Sequence, residues 1–250
     1  MKRLIPFCLM FLGPMLWAAT SLEEKTFNAQ GLREVSVENI NGDIEIIGVP
    51  GALAKVRAVK IADSESRLAD LRIKTTLSDG RLTIKTEHVR TYLFGLIPLK
   101  TGGRVDYRIE VPPDAALTLE TVNGGIKVRQ AGRSVNAETV NGDLDAAEAR
   151  GTIHLESVNG NIRLLLSDSA PQATLETVNG SITMSAPDTL DARYSFETVS
   201  GDIRFTPEKF KTKGSGHKDI EGVLGSGKGK VSAETVNGTI TLHLKPSPAV

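Results

Sequence analysis

Glu120-Thr-Val-Asn-Gly124 returns as Glu138-Thr-Val-Asn-Gly142, Glu156-Ser-Val-Asn-Gly160, Glu176-Thr-Val-Asn-Gly180, Glu197-Thr-Val-Ser-Gly201 and Glu234-Thr-Val-Asn-Gly238. Glu38-Asn-Ile-Asn-Gly42 is an earlier, degenerate copy. From Gly124 onward the glycines are 18, 18, 20, 21 and 37 residues apart. Self-similarity at such a period is the signature of a repeat architecture. The last gap is about two periods, so the stretch from about 207 to 230 reads as an inserted loop or an irregular coil.

An apolar residue stands two places after each glycine: Ile44, Ile126, Leu144, Ile162, Ile182, Ile203 and Ile240. A second apolar residue follows two further on in most copies, as at Val128, Leu164, Met184, Phe205 and Leu242. This is period-two alternation on both sides of an Asn-Gly pair, with no helical period, so the region is built of β-strands.

Two geometries compete. Asn-Gly between alternating strands suits a type I′ hairpin, because both residues tolerate positive φ. Alternatively, each period is one coil of a β-solenoid, roughly 60 Å of extended chain at about 3.3 Å per residue, and Asn-Gly is a corner. Near-identical copies at an almost fixed period are what in-register stacking demands, and they favour the solenoid. Stacked asparagines would then hydrogen-bond along a column, and stacked Ile, Val and Leu would form one continuous core. The corner stack would consist of Asn41, Asn123, Asn141, Asn159, Asn179, Ser200 and Asn237, with Gly124, Gly142, Gly160, Gly180, Gly201 and Gly238.

The repeated glutamate limits where this surface can lie. Two carboxylates one strand apart repel by about 0.9 kcal/mol in water and by several kcal/mol at an effective dielectric near 20. A column of them is tolerable only on a solvated face. It reads as a screened outer stripe, with a cation-binding or partner-reading stripe as the alternative.

The Glu-Thr-Val-Asn-Gly-x-Ile phrase, Val37-Glu-Asn-Ile-Asn-Gly-Asp-Ile44 and Val105-Asp-Tyr-Arg-Ile-Glu-Val-Pro112 together resemble the bacterial putative-adhesin family of β-strand repeats, a domain of unknown function. The resemblance covers roughly residues 30 to 245. It implies an all-β fold and an adhesin-type role, and it carries no catalytic residues.

Around the repeats the chain divides as follows. Residues 1–19 carry Lys2 and Arg3, an apolar run from Leu4 to Trp17 and the small residues Ala18 and Ala19, the order of a secretory signal peptide. Its removal would take the only Cys (Cys8) and the only Trp (Trp17). Residues 20–116 read as N-terminal strands and the cap of the repeat domain. Within them Asp63 and Ser64 cap a short helix through Leu68 and Leu71, and Ser78-Asp79-Gly80 turns a hairpin. Residues 117–245 are the solenoid repeats, with the Lys- and Gly-rich insertion at about 207–230, and 246–250 form a tail. The expected class is therefore an all-β, single-domain β-solenoid, similar to a parallel β-helix, with an N-terminal capping sheet or hairpin.

Composition excludes several functions. Thirty basic residues balance thirty acidic ones, against a nucleic-acid binder, and a single Cys rules out a multi-cysteine metal site. The four histidines are scattered, and no Gly-x-Ser-x-Gly elbow or phosphate-loop spacing occurs. Asn-Gly-Asp at 41–43 and 141–143 hints at calcium, but other copies carry Gly125, Asn161, Ser181 or Thr239 at the third position. No cofactor is expected. Candidate partner contacts are the apolar stretch with Tyr92, Phe94, Leu96 and Ile97, and the basic loop with Lys209, Lys211, Lys213 and Lys218. The loop is expected to be mobile, and it could meet an anionic polymer.

The functional expectation is an exported, non-enzymatic β-repeat protein, an adhesin that binds an extended polymer or surface ligand. The alternative is a periplasmic envelope scaffold or stress-response component acting through protein partners, and the third reading is a polysaccharide-acting β-helix enzyme. The expected location is the periplasm or cell surface of a bacterium, with no transmembrane segment after signal cleavage and an envelope polysaccharide or a protein as partner.

Overall fold

The computed structural model describes residues 18–88, 92–93, 97–98, 102–149, 151–206, 213–216 and 218–245. The described part of the chain starts with β1 (Ala19–Asn28), β2 (Glu34–Glu38), β3 (Ile44–Gly48) and β4 (Leu53–Ala62). It then makes the short helix α1 (Glu65–Asp70), the hairpin β5 (Leu71–Ser78) and β6 (Arg81–His88), a small pair β7 (Tyr92–Leu93) and β8 (Ile97–Pro98), and β9 (Arg104–Val111). From there strands come in twos: β10 (Ala116–Asn123) and β11 (Ile126–Arg129), β12 (Ser134–Asn141) and β13 (Leu144–Ala149), β14 (Thr152–Asn159) and β15 (Ile162–Leu166), β16 (Gln172–Asn179) and β17 (Ile182–Pro187), β18 (Ala192–Ser200) and β19 (Ile203–Thr206). After β20 (Lys213–Gly216) and β21 (Asp219–Leu224), the pair β22 (Gly229–Asn237) and β23 (Ile240–Lys245) closes the series.

These strands make an all-β molecule of two large, mostly parallel sheets. Sheet A has the order β1-β4-β9-β3-β11-β13-β15-β17-β23-β19, and sheet B the order β20-β21-β18-β22-β16-β14-β12-β10-β2-β6-β5. Each repeat places one strand in each sheet, and the Asn-Gly corner is the crossing between them. β10 and β11 are not partners of one another: β10 pairs in parallel with β2 and β12, and β11 with β3 and β13. The hairpin geometry is thereby excluded. Equivalent residues fall opposite one another throughout, as in Glu120↔Glu138, Thr121↔Thr139 and Asn123↔Asn141.

Alternation along each strand sends every second side chain inward. Ile44, Ile126, Leu144, Ile162, Ile182, Ile203 and Ile240 form one buried column of sheet A. Val35, Leu117, Val135, Ile153, Ala173 and Val231 form a buried column of sheet B. Full burial of a Val, Leu or Ile side chain contributes about 1.5–3 kcal/mol, so the columns are the main stabilising feature. At the last coil Tyr194, Phe196 and Phe205 cluster with ring centroids 5.3 to 5.8 Å apart, in a chain with only 4% aromatic residues. Large rings fill the space where no further coil follows.

The copies do not stack in chain order, which corrects the simplest reading of the repeat. β22 lies between β16 and β18, and β23 between β17 and β19. The Glu234 copy therefore sits inside the Glu197 copy, although it comes later in the chain. The same exchange occurs at the other end, where β2 and β3 lie between β6 with β9 on one side and β10 with β11 on the other.

Two further expectations change. A stack confined to 117–245 is too short, because β2 with β3 and β6 with β9 carry the same registers and are coils themselves. β1, β4 and β5 are the antiparallel strands added outside them. The 37-residue gap is neither an irregular coil nor, over its described part, a mobile loop. β21 runs antiparallel along β18, from Asp219↔Glu197 to Leu224↔Ala192, with β20 beyond it. The turn after β21 is held by Asp191, whose Oδ1 accepts from the backbone N–H groups of Ser226 and Gly227, both at 2.6 Å. The Ser226 hydroxyl donates to Asp191 Oδ2 at 2.8 Å. These donors, the Ser226 side chain foremost, hold the Asp191 carboxyl below the usual aspartate range.

Local features follow the sequence closely. Ser64 caps α1 by accepting from the Arg67 N–H, and Asp79 with Gly80 turns the β5–β6 hairpin with φ of 51° and 74°.

Candidate functional site

The Glu-Thr-Val-Asn-Gly phrase divides its side chains among three tasks. Thr121, Thr139, Ser157, Thr177, Thr198 and Thr235 point inward and are at most 5% exposed. A buried hydroxyl needs a partner, and each finds a glycine carbonyl of the adjacent coil. Thr139 donates to Gly124 O at 3.0 Å, Ser157 to Gly142 O at 3.1 Å, Thr177 to Gly160 O at 3.0 Å, and Thr235 to Gly180 O at 2.9 Å. Sequence reading missed this column, because Thr in a strand looks like simple β-propensity.

The asparagines form a side-chain ladder along the corner. Asn123 Nδ2 donates to Asn41 Oδ1 at 2.8 Å, Asn141 to Asn123 at 2.9 Å, Asn159 to Asn141 at 3.0 Å, Asn179 to Asn159 at 2.9 Å, and Asn237 to Asn179 at 2.8 Å. Ser200 is in register with Asn237 at the end of the row. The adjoining glycines are required by proximity: a Cβ on Gly160 would lie 1.8 Å from Gly142 O, and one on Gly142, 2.0 Å from Gly124 O. Gly124, Gly180, Gly201 and Gly238 are equally crowded by the preceding coil's carbonyl. Among these corner glycines only Gly42 has positive φ, at 113°. Asp43 and Asp143 serve the same stacking, since each accepts a backbone N–H of the next coil at 2.8 Å, from Gly125 and Asn161.

What remains for solvent is the outer face of sheet B. Ser36, Thr118, Asn136, His154, Thr174, Ser232 and Ser195 form a polar column by register. Next to it runs Glu38, Glu120, Glu138, Glu156, Glu176, Glu234 and Glu197. Beyond the glutamates lies an apolar ridge of Ile40, Val122, Val140, Val158, Val178, Val236 and Val199, each 37% exposed or more. Between ridge and glutamates is a shallow groove of about 470 Å³ running from Lys85 and Glu38 to Glu156, and a second of about 220 Å³ continuing past Glu176 to Glu197.

Compensation of the acidic column is sparse. Lys85 pairs with Glu38 at one end, and that hydrogen bond holds the Lys85 ammonium above the usual lysine range. Asn136 donates to Glu138 at 2.9 Å, and His154 lies 3.8 Å from Glu156. Glu120, Glu176, Glu234 and Glu197 have no ion pair among the described residues. Nor do three or more His, Cys, Asp or Glu side chains converge there as a metal site.

The candidate partner contacts are dispersed. Tyr92 lies in β7 and Ile97 in β8, a pair hydrogen-bonded to neither large sheet. Lys213 opens β20, and Lys218 Nζ is committed to the Val199 carbonyl at 2.8 Å. Phe94, Leu96, Lys209 and Lys211, with residues 1–17 and 246–250, lie outside the described residues. At the opposite end of the fold a buried polar knot replaces the threonine column. The Thr86 hydroxyl donates to Asn39 Oδ1 at 2.9 Å and lies 2.7 Å from the Tyr107 hydroxyl, whose pKa is pushed up to about 12 by burial.

Comparison with solved structures places the architecture among known ones. A crystal structure of a putative cell adhesion protein from Clostridium sporogenes aligns with 91% of this chain and 100% of its own at a TM-score of 0.50 and 15% identity. A putative adhesin from Bacteroides fragilis aligns with 89% of this chain and 97% of its own at 0.45 and 11% identity. At these identities the likeness is one of fold. No curated protein matches the sequence. The Toastrack DUF4097 family model matches residues 21–243, nearly the whole two-sheet stack with its corner ladder, and the chain belongs to that family.

Proposed function

We propose that the protein is an exported, non-enzymatic adhesin-type module, a β-solenoid with its N-terminal end covered by β1, β4 and β5. It binds an extended polymer along the outer face of sheet B. The observation that carries this reading is the unbroken glutamate column flanked by an exposed Val ridge. Neither is needed to hold the coils together, since the inward columns, the threonine bonds and the asparagine ladder do that. Like charges opposite one another in adjacent strands are destabilising, so keeping seven in register has a cost that a ligand would offset.

Carboxylates only accept hydrogen bonds, so the ligand must be rich in donors. An amine- or hydroxyl-bearing chain lying along the groove would meet one carboxylate at every strand, about 4.8 Å apart, with the Val ridge against its apolar side. The basic-first order of residues 1–19 supports export, to the periplasm or cell surface. Among the described residues no helix is long and apolar enough to cross a membrane.

The test is retention of the purified protein on immobilised amine-bearing, neutral and anionic polysaccharides, with released fragments measured in parallel. Saturable retention on the amine-bearing or neutral polymers, abolished in a Glu156→Gln, Glu176→Gln, Glu234→Gln triple variant and free of released fragments, is the expected result. Equal retention of the triple variant overturns the assigned face. Fragment release overturns the non-enzymatic reading.

A further inference from the structure

Asn-Gly is the dipeptide at which asparagine is chemically weakest. The glycine nitrogen attacks the asparagine Cγ, the new N–Cγ bond replaces Cγ–Nδ2, and the displaced nitrogen leaves with the amide proton as ammonia. Water then opens the resulting succinimide to aspartate or isoaspartate. Glycine favours the reaction because nothing on its Cα hinders the turn that brings N to Cγ. This chain displays the dipeptide at six solvent-facing corners, with Asn123, Asn141, Asn159, Asn179 and Asn237 all exposed.

The fold blocks each requirement of that attack. The attacking nitrogen is engaged in every copy: Gly42 N–H donates to Asn123 O at 2.8 Å, Gly124 to Asn141 O at 2.9 Å, Gly142 to Asn159 O and Gly160 to Asn179 O at 3.0 Å, Gly180 to Asn237 O at 3.1 Å, and Gly238 to Ser200 O at 3.0 Å. The side chains of Asn41, Asn123, Asn141, Asn159 and Asn179 are each held along the ladder by a bond accepted at Oδ1, which fixes Cγ in place.

One glycine of the series lacks this engagement. Gly201 belongs to the outermost coil, and among the described residues no carbonyl accepts its N–H. Its neighbour is Ser200, the one position of the seven where asparagine is replaced, and a serine hydroxymethyl offers no carbonyl carbon to attack. The end of the ladder and the departure from the repeat thus coincide.

We propose that the stack is a chemical shield for its Asn-Gly corners and that Ser200 marks where the shield ends. The shielded asparagines are latent modification sites that deamidate only when their coil opens. This inference does not depend on the ligand face.

The experiment is peptide mapping by mass spectrometry of the protein held at neutral pH, folded or in concentrated urea, alongside the Ser200→Asn variant. In the folded protein Asn159 and its neighbours are expected to deamidate at least about 100-fold more slowly than in urea, because the reaction must wait for local opening. In the folded variant, position 200 is expected to deamidate within a few-fold of the urea rate, with an unchanged denaturation midpoint. Equal rates for Asn159 with and without urea would overturn the shield. If position 200 in the folded variant is as slow as Asn159, Ser200 has no such role, and the proposal fails there even if the variant is less stable.

Discussion

The two outer faces of the molecule are built by the same stacking yet resolve charge in opposite ways. On sheet A the column one residue beyond the buried isoleucines reads Arg108, Glu45, Lys127, Asp145, Arg163 along the stack. Glu45, Lys127 and Asp145 therefore each have opposite charges above and below them, whereas Arg108 stands between Glu45 and Arg57, and Arg163 between Asp145 and Thr183. Arg108 pairs with Glu45, and Arg57, which lies opposite Arg108, pairs on its other side with Glu24 at 3.5 Å. On sheet B the corresponding column is glutamate at seven successive levels, ended on one side by Lys85. In-register stacking amplifies whatever a repeat carries, and a repeat can avoid self-repulsion simply by alternating sign, as sheet A does. The like-charged column of sheet B is thus not imposed by the stacking itself.

The sharpest way to break the comparison is at the corner that both faces share. Gly160→Ala has no room for its methyl group. It is expected to lose about 4 kcal/mol, the range reserved for forced backbone shifts, or to fail to fold, as read by the denaturant midpoint. Ile162→Ala, two residues further along, should lower stability by roughly 2–5 kcal/mol through lost burial and a cavity. Asn159→Ala should lose about 1 kcal/mol or more, because two ladder partners are left unpaired.

The charge columns themselves should respond less, and in opposite directions. Glu176→Lys puts alternation into sheet B and is expected to raise stability by about 0.2–1 kcal/mol, while Asp145→Lys removes it from sheet A and lowers stability by a similar amount. Both shifts should shrink as salt is raised, since the charges are solvent-exposed. If the two substitutions shift the midpoint in the same direction, the contrast between the faces has no energetic content.

The smallest effect concerns the turn that holds β21 along the edge of sheet B. Asp191 has a lowered folded-state pKa, so its contribution is present above the ordinary aspartate value of about 3.9 and is lost as pH falls through the lowered value. Amide exchange at Ser226 and Gly227 should accelerate in that acid range, and in Asp191→Asn at neutral pH, with the midpoint of global unfolding little changed.

Much of this was legible in the sequence. Alternation around Asn-Gly shows the strands, and the constant period shows that equivalent residues face one another, which is enough to place Asn159 beside Asn141 and Ile162 in the core. The order of the coils was not legible, because the copies are nearly identical and a ladder can accept the Glu234 copy at any level. Only the long connection through residues 207–228 permits the exchange, and that segment has no repeat phrase to read. The threonine bonds were hidden for a related reason: their acceptors belong to another coil, 15 to 55 residues away in the described pairs from Thr139, Ser157, Thr177 and Thr235. The alternating charges of sheet A became visible only with the parallel register, since a hairpin register sets Glu120 against Lys127 instead.

The exchange of coil order at both ends also bears on how the molecule comes apart. A stack laid down in chain order frays from its ends, each terminal coil peeling away without disturbing the next. Here β2 with β3, and β22 with β23, are clasped one level in, so detaching either must breach two strand interfaces in each sheet at once. The outermost coils are internal stretches of chain, tethered on both sides. A pull on the C-terminal end of the described chain acts first on the clasped pair β22 and β23, and a pull on the N-terminal end acts on the edge strand β1 and then on the clasped pair β2 and β3.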